Sequence, residues 1–156
     1  MRHWDKNSKF GKFMTQRGTC FLGRYKDGQD FIDNQHKDCK KANFNTTQKG
    51  YILEGAIVAH MVKNMGLKKV WHSTAIPSEI IEEKRMCLDG SDDNGGDIVA
   101  EFKDGNLYLA QCKNYNLRNL TKSKMNSSFV EGKKFGKFIQ FVTTCETVDV
   151  SGKLDH

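Results

Sequence analysis

The chain has 156 residues, 25 Lys and Arg against 19 Asp and Glu, and a net charge of +6. With 37% hydrophobic and 28% charged residues and a mean hydropathy of −0.66, it holds apolar material for one core, which excludes wholesale disorder. No run nears the ~18 apolar residues of a membrane span. The first residues, Met1-Arg2-His3-Trp4-Asp5-Lys6, lack the apolar stretch of a secretory signal. Five scattered cysteines, at 20, 39, 87, 112 and 145, read as free thiols. The expected location is a reducing intracellular compartment, cytoplasm or nucleus. His36 and Cys39 have ligand-like spacing, but no second pair accompanies them to complete a zinc site.

Charge is distributed unevenly. Residues 1–50 sum to +6, residues 51–105 to −4 and residues 106–156 to +4. Basic flanks suit a polyanion or simply a solvated surface, and carboxylates gathered between them suit a bound cation.

Residues 1–50 are polar and punctuated by glycine, with aromatics at 10, 13, 21, 25, 31 and 44 and little periodicity. Thr19–Tyr25 reads as a strand and Lys26-Asp27-Gly28 as a turn. From Thr47 the apolar residues Tyr51, Ile52, Ala56, Ile57, Val58, Met61, Val62 and Met65 recur at helical spacing, with Gly66 as a stop. Residues 68–75 read as a strand closed by Pro77, and Ser78 as the cap of a short helix. Residues 88–96 form an acidic, glycine-rich loop. Two strands, 97–102 and 106–113, flank Lys103-Asp104-Gly105, a hairpin signal. Residues 117–137 read as a helix and 138–144 as a strand. The expected class is mixed α/β, a small central mixed sheet flanked by helices in the order αβββαβ.

The hairpin loop decides which side chains share a face, because residues two apart on a strand point the same way. A two-residue Asp104-Gly105 turn sets Asp97 opposite Cys112, away from Gln111 and Lys113. A three-residue loop with Gly105 left-handed in a bulge sets Asp97 opposite Gln111, with Lys113 diagonal to it. Glycine in third place favours the second register. An Asp carboxylate, the Gln111 side-chain oxygen and the Cys112 backbone carbonyl can then hold a hard cation such as Mg²⁺. A neighbouring lysine can orient a water nucleophile or stabilise charge on a phosphate.

Gly95-Gly96-Asp97-Ile98-Val99 followed by Gln111-Cys112-Lys113-Asn114-Tyr115 resembles the PD-(D/E)xK nuclease superfamily. More narrowly it is similar to the Mrr-like restriction endonuclease group, in its QxK variant. Gly50-Tyr51-Ile52-Leu53-Glu54 resembles that group's first core helix and Phe141-Val142-Thr143-Thr144 its last core strand. The resemblance spans roughly residues 48–148. It implies a restriction-endonuclease-like domain over 48–156, with residues 1–47 as a basic extension packed on or beside it. It also implies a Mg²⁺-dependent deoxyribonuclease, with Mn²⁺ as a substitute, in which Asp97, Gln111, Lys113 and Glu54 are catalytic. Asp97, Gln111, Glu54 and the Cys112 carbonyl would hold the metal. Gly96 stands where the group often has proline, and Gln111 removes one negative charge from the site.

Arg118, Lys122, Lys124, Lys133, Lys134 and Lys137 lie on or near the second helix, as phosphate contacts or as a solubilising face. The basic residues of the first 26, interleaved with Phe10, Phe13, Phe21 and Tyr25, form a second DNA-facing surface, unless those aromatics are packed in the core. Asp92, Asp93 and Glu101 read as solvated acids, and His60 and His72 as surface residues of a helix and a strand. The partner expected is DNA, with a homodimer by analogy. Gly152-Lys153-Leu154-Asp155-His156 reads like a linker towards a helicase- or recombination-type module. The rival expectation is a DNA-binding module that keeps the fold without catalysis.

Overall fold

The computed structural model describes residues 3–84, 97–114, 119–120, 139–143 and 147–148. Residues 3–44, for which little periodicity is legible, are mostly helical. Ser8 accepts the Gly11 amide at 3.0 Å and so caps α1 (Lys9–Phe13), which runs through a π-helical turn (Met14–Gly18) into α2 (Thr19–Leu22). Of the strand expected over 19–25, residues 19–22 are therefore helix. Phe10, Phe13, Met14 and Phe21 are its buried apolar side chains, at i, i+3, i+4 and i+11, which is a helical stripe. The stripe is hard to read because Gly18 sits within it. That glycine and Gly55 cradle the Met14 side chain: a Cβ at either would come within 2.5 Å of Met14 atoms.

α3 (Gly28–Lys41) starts at Asp27, whose carboxylate accepts the Asp30 amide at 2.8 Å. α4 (Thr46–Lys63) begins with a reciprocal capping box between Asn45 and Gln48, satisfying two otherwise orphaned amides. It ends before Gly66, whose φ is +65°. β1 (Lys69–His72) is shorter than expected, because a 3₁₀ turn occupies Ser73–Ala75. In α5 (Ser78–Glu83), Pro77 rather than Ser78 holds the capping position.

β2 (Asp97–Glu101), β3 (Leu107–Lys113) and β5 (Ile139–Thr143) join β1 in one sheet of order β1-β2-β3-β5. The first three strands are antiparallel, and β5 runs parallel to β3. β4 (Asn119–Leu120) and β6 (Thr147–Val148) form a separate two-stranded ladder, so residues 119–120 of the helix expected over 117–137 are strand. Most of that helix lies outside the described residues.

The sheet is covered on both faces. Val70, Ile98, Ala100, Ala110 and Cys112 join one large core with Phe10, Phe21, Phe31, Phe44, Ile52, Val58 and Met61 from α1 to α4. Residues before 48 are thus continuous in packing with the sheet. The opposite face carries a smaller cluster, Val99 and Leu109 with Ile76, Trp71, Ile80 and Ile81. The open edge of β1 is occupied near its end by the N-terminal segment. There the His72 amide donates to the His3 carbonyl at 2.8 Å, and His3 Nδ1 donates to the Val70 carbonyl at 2.7 Å. Such covering blunts an edge that would otherwise pair with other chains. Among the described residues no helix is long and apolar enough to cross a membrane.

Candidate functional site

The β2–β3 hairpin sets the geometry. The Gly105 amide donates to the Phe102 carbonyl at 2.9 Å and the Phe102 amide to the Asn106 carbonyl at 3.1 Å. Gly105 takes a φ of +82°, which a Cβ would disfavour. This is the three-residue loop, and it sets Asp97 opposite Gln111 and Val99 opposite Leu109. Asp97, Gln111 and Lys113 therefore share the face that carries Val99 and Leu109.

Antiparallel pairs alternate between hydrogen-bonded and non-hydrogen-bonded. Counting from the bonded Phe102–Asn106 pair, Asp97–Gln111 is non-bonded, the closer kind, with Cα atoms about 4.5 Å apart. By the same alternation the Cys112 carbonyl points towards the β2 side, at the end where Asp97 starts that strand. Gln111 and Lys113 are 3% and 5% exposed. Buried amides and ammonium groups persist only where they are hydrogen-bonded or charge-paired, so this end of an otherwise apolar face is polar by construction.

Glu54 lies elsewhere. It projects from α4 towards the opposite face and is 3% exposed. Its Oε1 accepts from His72 Nε2 at 2.5 Å. His72 pairs with Ile98 in the sheet register and so shares the face of the large core. At 2% exposed, it is a core residue and not the strand-surface residue expected from sequence. Its tautomer follows from its neighbours. The Thr74 amide donates to Nδ1 at 3.2 Å, so Nδ1 is an acceptor and the proton sits on Nε2, facing Glu54. The Phe10 ring stacks on the imidazole at 3.7 Å and 7°. Gly50 leaves room for the second carboxylate oxygen, since a Cβ there would stand 3.3 Å from Oε2. Glu54 and His72 occupy the same end of the sheet as Asp97, Gln111 and Lys113, beneath its other face. His60, by contrast, is exposed, its ring 3.1 Å from the Asn64 amide nitrogen.

A connection that sequence reasoning missed ties α3 to this end. Gln35, fully buried, exchanges amide hydrogen bonds with Asn114, at 2.9 Å and 3.2 Å. Asn114 also donates to the Lys49 carbonyl of α4 at 2.7 Å. The residue after Lys113 therefore locks β3 to two helices. Its only trace in the sequence is an Asn adjoining the QxK triplet, with a partner 79 positions away.

His36 and Cys39 serve this packing. The Cys39 thiol donates to Gln35 Oε1 at 3.6 Å, and burial pushes its pKa up to about 11. His36 is held below its ordinary pKa of 6.5 by burial and by the charge of Lys49. Among the described residues no three His, Cys, Asp or Glu gather as a metal group. The donors that the register aligns near Asp97 are instead an amide side chain and a backbone carbonyl. An aspartate, an amide oxygen and a backbone carbonyl are donor types that suit a hard cation.

A separate cleft of about 330 Å³ lies among Leu22, Phe31, Ile32, Leu53 and Ile57, and none of the residues expected from sequence to form the site lines it. Arg118, Lys122, Lys124, Lys133, Lys134, Lys137, Asp92 and Asp93 lie outside the described residues. Glu101 is paired with Lys69 at 2.7 Å. Comparison with family models, curated proteins and solved structures returned no match.

Proposed function

We propose that the chain is a metal-dependent DNA endonuclease of the PD-(D/E)xK, Mrr-like type, built on a restriction-endonuclease-like core. One observation carries the reading: the left-handed Gly105 loop puts Asp97 opposite Gln111 with Lys113 two residues further along the same face. The order of α4, β1, β2, β3 and β5, with β5 parallel to β3, is compatible with that core.

In this reading Asp97, Gln111 and the Cys112 carbonyl hold Mg²⁺, or Mn²⁺ in its place. Glu54, which packs under the other face of the sheet with Oε1 on His72, is left out of this set. The bound ion would supply Lewis-acid polarisation of the phosphate and a water of lowered pKa. Lys113 orients the nucleophilic water and offsets negative charge gathering on the phosphate oxygens. The neutral Gln111 leaves one fewer negative charge than a second carboxylate would. Metal affinity therefore depends heavily on Asp97.

Calorimetric titration with Mg²⁺ and Mn²⁺ tests this. The wild-type chain is expected to bind one of these ions, and Asp97→Ala to lose that binding while remaining folded. Binding unchanged in Asp97→Ala would refute the site. The alternative, a DNA-binding module without catalysis, draws on the Glu54–His72 bond under the other face, which leaves Asp97 as the carboxylate of the set. It predicts no metal binding together with salt-sensitive DNA binding. An intracellular location, a homodimer that cuts both strands, and fusion to or association with a helicase-type module complete the reading.

A further inference from the structure

The first 50 residues carry six more positive than negative charges, and the structure shows how their acids are used. Asp27 caps α3, Asp30 accepts the Lys26 amide, Asp33 accepts from Gln29 and Asp38 from the Tyr25 hydroxyl. Asp5 accepts the Asn7 amide. All five take local hydrogen bonds from uncharged donors. Among the described residues no lysine or arginine of this segment forms an ion pair. With its five carboxylates counted, six positive charges remain on the segment.

Part of that charge lies on α3, the helix tied to the end of β3. Lys37, Lys40 and Lys41 are exposed on the last turns of α3. Arg17, also exposed, is fixed at the end of the same helix. Its guanidinium donates to the Ala42 carbonyl at 3.0 Å and lies 4.4 Å from the centre of the Phe44 ring. Attraction to the negative end of the α3 dipole accounts for Lys40 and Lys41 in the last turn and for Arg17 on the C-cap carbonyl, but not for Lys37. The Gln35–Asn114 clasp holds this helix against the residue that follows Lys113. From Gln35 to Lys41 the helix rises about 9 Å at about 1.5 Å per residue, roughly three nucleotides along one strand at about 3.4 Å each.

We propose that the C-terminal half of α3, with Arg17, is a docking surface for the phosphate backbone of duplex DNA, on the helix that the clasp ties to the end of β3. The inference rests on the nuclease reading for the identity of its partner. The surface touches phosphates and not bases, so it supplies affinity without sequence preference.

The test is fluorescence-anisotropy binding of a labelled duplex by the full chain, measured across a salt series. A triple variant Lys37→Gln, Lys40→Gln, Lys41→Gln is compared with an equal charge change elsewhere, Lys63→Gln, Lys68→Gln, Lys103→Gln. Each phosphate that the protein no longer neutralises lowers the slope of log affinity against log salt by about 0.9. The α3 triple is expected to reduce the slope by about 2 to 3, and the control triple by less than 1. Equal reductions in the two triples, an unchanged slope in the α3 triple, or no binding by the wild type would each overturn the surface. Cleavage and metal binding are read separately. A chain that binds through α3 but neither cleaves nor takes up metal would retain this surface and refute the nuclease. A chain that cleaves with the α3 slope unchanged would do the reverse.

Discussion

His72 shows how much one side chain can organise. It closes β1, caps the following turn through Nδ1, stacks on Phe10 and donates to Glu54 from Nε2. With both partners almost fully buried, His72→Ala leaves the Glu54 carboxylate without its donor. It should cost about 3 kcal/mol or more in urea unfolding. His72→Gln, which restores a donor, should recover part of that loss, and equal losses in the two variants would show that the bond is not the stabilising element. His36 gives a pH dependence of definite sign. Its pKa in the fold lies below the ordinary 6.5 because of burial and Lys49, so below about pH 6.5 the unfolded chain takes up a proton that the folded chain resists. Stability from this residue is complete above pH 6.5 and declines as the pH falls through it. Thermal melts between pH 7 and 5.5 should therefore fall less steeply for His36→Gln than for the wild type.

Among the elements, the hairpin is the most legible from sequence and the N-terminal helices are the least. Lys103-Asp104-Gly105 sits between two alternating strands, and a loop that short leaves only two registers, one of which uses glycine where φ must be positive. The reading depends on neighbours in sequence and so needs no tertiary information. Gly105→Ala forces a Cβ into the left-handed region and should cost about 1–2 kcal/mol. Gly105→Asn, better tolerated there, should cost less. If Ala and Asn were equally mild in chemical denaturation, the loop would not be what fixes the register. Residues 9–22 resist reading for a different reason. Their helix is short, passes through a π turn and includes a glycine that admits Met14, features that matter only once α4 is packed alongside. The Glu54–His72 pair and the Gln35–Asn114 clasp are equally hidden, because each joins residues from separate elements and no local pattern marks them.

For the whole molecule, the division at residue 47 suggested by the resemblance does not coincide with a break in packing. Phe10, Phe21 and Phe44 share a core with Ile52, Val70 and Ile98, so the N-terminal helices support the face of the sheet opposite Asp97, Gln111 and Lys113. They also carry the basic surface. Support of the sheet and presentation of charge thus come from one layer, while the smaller face is left to the polar residues at the strand ends. Whether these strand ends hydrolyse DNA is decided by a Mg²⁺-dependent cleavage assay. The panel should comprise linear, branched, single-stranded and methylated DNA, with Asp97→Ala and Lys113→Ala alongside the wild type. The expected result is cleavage of at least one substrate by the wild type with Mg²⁺ and none with chelator. Each variant should lose at least about 100-fold in rate while retaining DNA binding. Cleavage that persists undiminished in Asp97→Ala or Lys113→Ala, or no cleavage of any substrate by the wild type, would contradict the nuclease reading.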